Sequence, residues 1–235
     1  MSQPPKSDNN ALVPLAAENL SVKLPEPPQI LTPEDAVRTR SAIMKHGAVT
    51  HDAKVAYERD GIATILATDK AGANKFVAER NDDEIIEDGD KVYILQPSIK
   101  KELDRRIAEP RDAYQLDRLR DAERCLDAVR DAPELENRRL KLEALARKQM
   151  PKVKRKVLKN ADTCISGEPL QKDAEVHHKE RVADNPNLAL APNNLVPVNP
   201  HIHDQIHAAQ AHTPQALDEL AKRQGWPQTS QQERE

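Results

Sequence analysis

Two stretches decide how this chain is read: residues 175–178, Glu-Val-His-His, and residues 199–211, Asn-Pro-His-Ile-His-Asp-Gln-Ile-His-Ala-Ala-Gln-Ala. Together they hold five of the eight histidines, His177, His178, His201, His203 and His207, a density that random scatter does not give. Residues 175–178 alternate in character and follow Gly167 and Pro169, which mark a turn, so they are expected to form the second strand of a hairpin. Adjacent strand residues point to opposite faces. One of the paired histidines therefore faces a packed helix, and its neighbour need not bind the same atom. Asn199-Pro200 reads as an N-cap followed by proline at the first helical position. On the helix so opened, His203 and His207 are four apart and share a face, the spacing that lets two imidazoles bind one metal. His201 lies roughly 200° around the helix from His203 and is left out of such a shell.

The order His177-His178, then Asn194 in Asn193-Asn194-Leu195-Val196, then His203-Asp-Gln-Ile-His207 resembles the HNH, or ββα-metal, nuclease family, and within it the colicin-type nuclease domain. Glu175, two residues before the paired histidines, also matches the colicin pattern. The resemblance covers about residues 160 to 212, less than a quarter of the chain. It implies that His177, His203 and His207 bind one divalent metal, with magnesium, manganese, zinc and nickel all open. It further implies that His178 is the general base, that Asn194 holds the loop and the base in place, and that Glu175 belongs to the catalytic group. The chemistry is coherent on its own terms: a base within hydrogen-bond reach activates water in line with the leaving oxygen. A cation beside the same phosphate stabilises the charge that develops. An imidazole that is not metal-bound can serve as a neutral base at physiological pH.

Two features depart from the family. Cys164 has no CxxC partners, so the structural zinc site that many HNH proteins carry is not available. The arginine expected near the first strand of the motif has no equally placed counterpart, and Lys172 and Arg181 are the nearest substitutes.

Just before the motif, Arg147 to Lys159 reads RKQMPKVKRKVLK, seven basic residues and no acid in a chain of net charge −3. Lysine and arginine at this density neutralise phosphates. Lys152, Lys154, Arg155, Lys156 and Lys159, with Arg181, are therefore the expected nucleic-acid contacts, duplex DNA being favoured over RNA. The opposite cluster, Asp82, Asp83, Glu84, Glu87, Asp88 and Asp90, lacks the spacing of a calcium loop and reads as a solvated turn.

Further out, residues 98–150 are rich in Glu, Lys, Arg, Leu and Ala, with Pro110 and Pro133 dividing them into successive helices. Leu119, Ala122, Leu126 and Val129 make a narrow apolar stripe, which Leu135, Leu142 and Leu145 continue in the next helix. A hairpin packing on itself and a dimerising or partner-binding helix both fit. Residues 33–97 begin with a helix signal at Thr32-Pro33 that Gly47 can end, then show two strand-like apolar runs, Ile62–Leu66 and Val92–Leu95. Residues 1–33 hold seven of the 18 prolines without apolar period, and are expected to be disordered or draped.

The expected fold is mainly α with small α+β parts, a long helical middle region followed by a C-terminal ββα-metal (HNH) module. Its expected boundaries are a Pro-rich arm over 1–32, a small α+β unit over 33–97, a charged helical hairpin or arm over 98–150, the HNH module over 151–225 and a polar tail over 226–235. No apolar run approaches the ~20 residues needed to span a bilayer. With two cysteines among 235 residues there is no disulfide framework, and the N-terminal residues lack a secretory signal, so a cytoplasmic setting is expected. The function expected is a metal-dependent endonuclease hydrolysing DNA phosphodiester bonds. The alternatives are a non-catalytic, metal-stabilised DNA-binding or assembly protein, and a nuclease toxin or defence effector.

Overall fold

The computed structural model describes residues 12–227 and is mainly helical, with about 57% helix and 13% strand. The chain divides into two compact units, Met1–Leu140 and Lys141–Glu235. No helix among the described residues is long and apolar enough to cross a membrane.

The N-terminal unit is built on a five-stranded antiparallel sheet of β1 (Leu12–Ala16), β2 (Gly47–Thr50), β3 (Val55–Glu58), β4 (Ile85–Asp88) and β5 (Lys91–Leu95), in the order β1-β2-β3-β5-β4. Helix α1 (Pro33–His46) starts as its sequence signals require: Thr32 Oγ1 accepts from the Asp35 N–H, and Pro33 opens the helix. It runs straight into β2 at Gly47, where a Cβ would stand 2.6 Å from Ala17 Cβ and 2.9 Å from the Ile43 carbonyl oxygen. Only glycine passes there. The acidic stretch becomes the β4–β5 hairpin, turning at Gly89 with φ 58°.

Three sequence expectations are corrected in this unit. The run Ile62–Leu66 is not a strand: it ends α2 (Arg59–Ile65), with Leu66 at the C-cap, because Ile62, Ile65 and Leu66 also satisfy helical spacing and all three are fully buried. A short apolar run cannot separate the two periods by itself. The Pro-rich arm is not featureless over its described part. Leu12–Ala16 pairs with β2, while Ala17, Leu20 and Leu31 enter the core or its margin as single plugs that leave no periodic trace. Residues 1–11 lie outside the described residues.

The third correction concerns residues 98–150. Helices α4 (Gln96–Ala108) and α5 (Ala113–Arg130) do not form a separate arm but pack into the N-terminal unit, against β5 and α1 respectively and against each other. The stripe of Leu119, Ala122, Leu126 and Val129 is buried in that core with Ile43, Tyr57, Ile94 and Leu103. Helix α6 (Pro133–Lys159) buries Leu135 but leaves Leu140, Leu142 and Leu145 exposed, and it passes through Pro151 unbroken. Pro151 forgoes the hydrogen bond to the Arg147 carbonyl, and because the turn around it is exposed, water can reach that carbonyl.

Arg40 of α1 and Asp121 of α5 lock this core. Asp121 is fully buried and accepts two hydrogen bonds from the Arg40 guanidinium, at 2.6 and 2.9 Å, while the same arginine donates to the carbonyls of Ala36 and Pro25.

In the C-terminal unit, β6 (Glu175–His178) pairs antiparallel with β7 (Leu195–Val198), and α7 (Pro200–Ala208) and α8 (Pro214–Gln224) follow. The histidine strand is therefore the first strand of its pair, not the second. Gly167, with φ 86°, does turn the chain, but closes only a single bridge between Thr163 and Pro169. The core gathers Cys164, Ile165, Val196, Val198, Ile202, Ile206, Leu217 and Leu220, and Trp226 packs against it, so the packed unit reaches beyond the expected boundary at residue 225. Residues 228–235 of the expected tail lie outside the described residues.

Removing one partner of a buried, hydrogen-bonded pair leaves an uncompensated charge, at a cost of about 3 kcal/mol. Asp121→Ala is expected to lower the urea-unfolding free energy of the N-terminal unit by that order, followed by far-UV circular dichroism. A loss below about 0.5 kcal/mol would show that the pair is decorative.

Candidate metal centre

Burial sets the rotation of α7. Ile202 and Ile206 face the core at 2% and 0% exposure, and each buried side chain contributes about 1.5–3 kcal/mol. His203 and His207, each one position further round, are thereby held at the edge of the core beside β6. On β6, alternation turns His177 towards the helix. The three rings form a tight triangle, with centroids 5.2 Å apart for His177–His203, 5.5 Å for His177–His207 and 4.6 Å for His203–His207. Each offers a ring nitrogen, and these atoms lie within 4.8 Å of one another, so the three can hold a metal ion.

The hydrogen bonds support that capacity. Glu175 Oε2 lies 2.6 Å from His203 Nδ1, and since a carboxylate only accepts, Nδ1 carries the proton and the lone pair of neutral His203 is at Nε2. That Nε2 faces His207 Nε2 at 3.1 Å. His177 Nε2 is buried without a hydrogen-bond partner among the described residues, an arrangement that costs about 1–3 kcal/mol unless something meets it. A cation between the three nitrogens would meet all of them. Burial, reinforced by the neighbouring His203 and His207, pushes the His177 pKa down to about 4, so its imidazole is neutral and available as a ligand at physiological pH.

His178, on the opposite face of β6, places Nε2 3.0 Å from the Ala189 carbonyl oxygen. A carbonyl can only accept. Nε2 therefore donates, and the neutral ring keeps its lone pair on Nδ1. Ala189 belongs to the loop 179–194, and Asn194 ties that loop together. Its Oδ1 accepts from the Glu180 N–H at 2.8 Å, and its Nδ2 donates to the carbonyls of Glu180 and Leu188 at 3.0 and 3.1 Å. Asn194 is 5% exposed and every polar atom of its amide is satisfied, so it acts on the site through the loop. Glu175 likewise touches His203 and orients it.

Lys154, His178, Arg181 and His212 line the same open pocket as the triad. Of the expected basic contacts, only Lys154 and Arg181 are brought there. Lys152, Arg155, Lys156 and Lys159 lie exposed along α6, and Arg181 pairs with Asp184 at 3.3 Å. Lys172 is exposed and is not part of the pocket lining. His201 turns away to Glu168, 3.1 Å from its nearer oxygen.

Two residues carry more than sequence reasoning assigned. Asn199 does not cap α7 with its side chain. It is fully buried, accepting from the Gln171 N–H and donating to the Pro169 carbonyl, and so ties the helix start to the preceding turn. His212 follows the end of α7, outside the helical period, so no spacing rule pointed to it. Gln210 in the left-handed region (φ 51°) and Thr213, whose hydroxyl caps α8, fix its position.

In metal-free protein, His177 stays neutral down to about pH 4 when folded but takes up a proton near ~6.5 when unfolded. Its contribution to stability is thus present above about pH 6.5 and is lost as pH falls towards 4. The fluorescence of Trp226, the single tryptophan, should report a falling midpoint over that window, and His177→Gln should flatten the dependence. An equal slope in the mutant would remove His177 as the cause.

No protein-family model, no curated protein and no solved structure matches the chain. The chemistry of the centre rests on the residues that form it.

Proposed function

We propose that the C-terminal unit is a metal-dependent endonuclease of the HNH kind, hydrolysing phosphodiester bonds of DNA. The observation that carries this reading is the pairing of a cation-competent triad with a second, differently held histidine at the same pocket. His178 is fixed by the Ala189 carbonyl with Nδ1 as its basic atom, while His177, one residue away, joins the triad.

The residues divide the work. His178 Nδ1 takes a proton from water as the water oxygen bonds to phosphorus and the opposite P–O ester bond breaks, the departing alkoxide taking its proton from solvent. Asn194 keeps the 179–194 loop closed, so that Ala189 holds the ring of His178 at one angle. Glu175 holds His203 in the tautomer whose Nε2 lone pair faces the centre. Lys154 and Arg181, from α6 and the loop, supply positive charge at the pocket rim, where a phosphodiester backbone is neutralised. A divalent ion on His177, His203 and His207 would stabilise the negative charge of the transition state and the departing oxygen. An all-imidazole donor set suits zinc, nickel or cobalt better than magnesium, which prefers oxygen ligands.

The test is nicking of supercoiled plasmid by chelator-stripped protein resupplied with single metals. His178→Ala should lower cleavage by roughly 10²- to 10⁴-fold while metal uptake persists. His207→Ala should lose metal first and activity as a consequence. Uptake and cleavage both intact in His178→Ala would end this assignment of the base.

The basic run on α6 should govern binding more than chemistry. Replacing Lys152, Lys154 and Lys156 by alanine is expected to weaken duplex binding and to reduce its salt slope by about three, near one for each phosphate that is no longer neutralised. An unchanged slope would make the run a solvated helix face.

A further inference from the structure

Two of the three triad histidines have identifiable supports in the fold. His177 is enclosed by the core, and His203 is oriented through Nδ1 by Glu175. His207 is the most exposed of the three, and among the described residues the one hydrogen-bond contact of its ring is the facing His203 Nε2. If both Nε2 lone pairs turn to a cation, the proton of neutral His207 must reside on Nδ1. That N–H then needs an acceptor, as ligating imidazoles usually have in a carboxylate or carbonyl.

His212 carries the complementary deficiency. Its Nδ1 is buried and has no hydrogen-bond partner among the described residues, and its ring lies beside that of His207, with centroids 5.8 Å apart. A direct imidazole-to-imidazole hydrogen bond brings centroids to about 5 Å, so the two rings must approach by roughly 1 Å and turn Nδ1 towards Nδ1 to make it. His212 lies outside the group of nitrogens that converge within 4.8 Å, so it is a neighbour of the triad and not a member of it. Its backbone is held independently of any ion, by the His212 N–H to the Gln210 carbonyl at 2.9 Å and by the neighbouring Ala211 N–H to the Ile206 carbonyl at 3.1 Å.

We infer that His212 is a positioning residue for the metal centre, accepting at Nδ1 the hydrogen bond that His207 Nδ1–H donates when His207 binds a cation through Nε2. The two outer ligands are then supported from opposite ends of the site, His203 by Glu175 and His207 by His212. The inference rests on the metal-binding reading of the triad but is independent of whether the bound ion cleaves DNA.

The experiment titrates zinc and cobalt(II) into the full-length, chelator-stripped chain and its variants by calorimetry, with the visible spectrum of cobalt reporting ligand number. His212→Ala should weaken affinity by about 10- to 100-fold, as loss of an outer hydrogen bond to a ligand does, while stoichiometry and the cobalt band pattern stay those of the parent. His212→Asn, whose amide oxygen can stand near the place of Nδ1, should recover most of the loss. Imidazole ¹H–¹⁵N spectra of the metal-free parent should show His212 protonated at Nε2. Affinity within twofold of the parent in His212→Ala would overturn the inference. So would a changed cobalt spectrum equal to that of His207→Ala, which would make His212 a ligand, or protonation of His212 at Nδ1. Circular dichroism of the variants separates these outcomes from misfolding, and loss of affinity in a well-folded His212→Ala with no rescue by asparagine also counts against it. If the parent takes up neither ion, the triad reading falls and this inference with it. If the parent binds metal but leaves DNA intact, only the nuclease proposal fails.

Discussion

The burial of Ile202 and Ile206 against Val196 and Val198 is the contact on which the C-terminal site depends. A helix can be rotated about its axis at little cost until an apolar stripe is pressed into a core. Once these two isoleucines are buried, His203 and His207 have one direction left to face, and β6 brings His177 to meet them. The buried isoleucines supply several kcal/mol, enough to hold three polar rings together although one of them has an unpaired buried nitrogen. In such a centre the apolar packing supplies the stability and the polar groups supply the capacity to bind.

A second constraint acts on the other face of β6. His178 would be an ordinary strand histidine if the loop of residues 179–194 were free to move. Asn194 closes that loop with three hydrogen bonds to backbone groups, and Ala189 in turn offers its carbonyl to His178. The angle of the proposed base is thus set by an asparagine that does not touch it. Glu175 and His203 follow the same logic at the triad, where a carboxylate selects a tautomer and thereby the direction of a lone pair.

The N-terminal unit resolves a different competition. Its α5 carries an apolar stripe that suits self-association as well as intramolecular packing, and the fold uses it internally, against α1 and α4. The Arg40–Asp121 pair ties α1 to α5 a second time. The large apolar side chains that α6 leaves exposed are Leu140, Leu142 and Leu145, with a basic run beyond them.

The local pattern of the chain determined a good deal. Thr32-Pro33 and Gly47 bounded α1, the Asp88-Gly89-Asp90 turn set the β4–β5 hairpin, and the spacing of His203 and His207 put two imidazoles on one face, because caps, turns and helical period act over four residues or fewer. Tertiary structure decided whatever depends on distant partners. Ile62–Leu66 became helix because the core accepted its i, i+3 face, and the arm gained β1 because β2 had an unpaired edge. The histidine strand paired forward with Leu195–Val198 across a long loop, a closure that local turn signals cannot encode and that Asn194 makes possible. His212 shows the same limit most plainly. It lies five residues beyond His207 and off the helical period, and only the left-handed turn at Gln210 brings its ring back beside the centre.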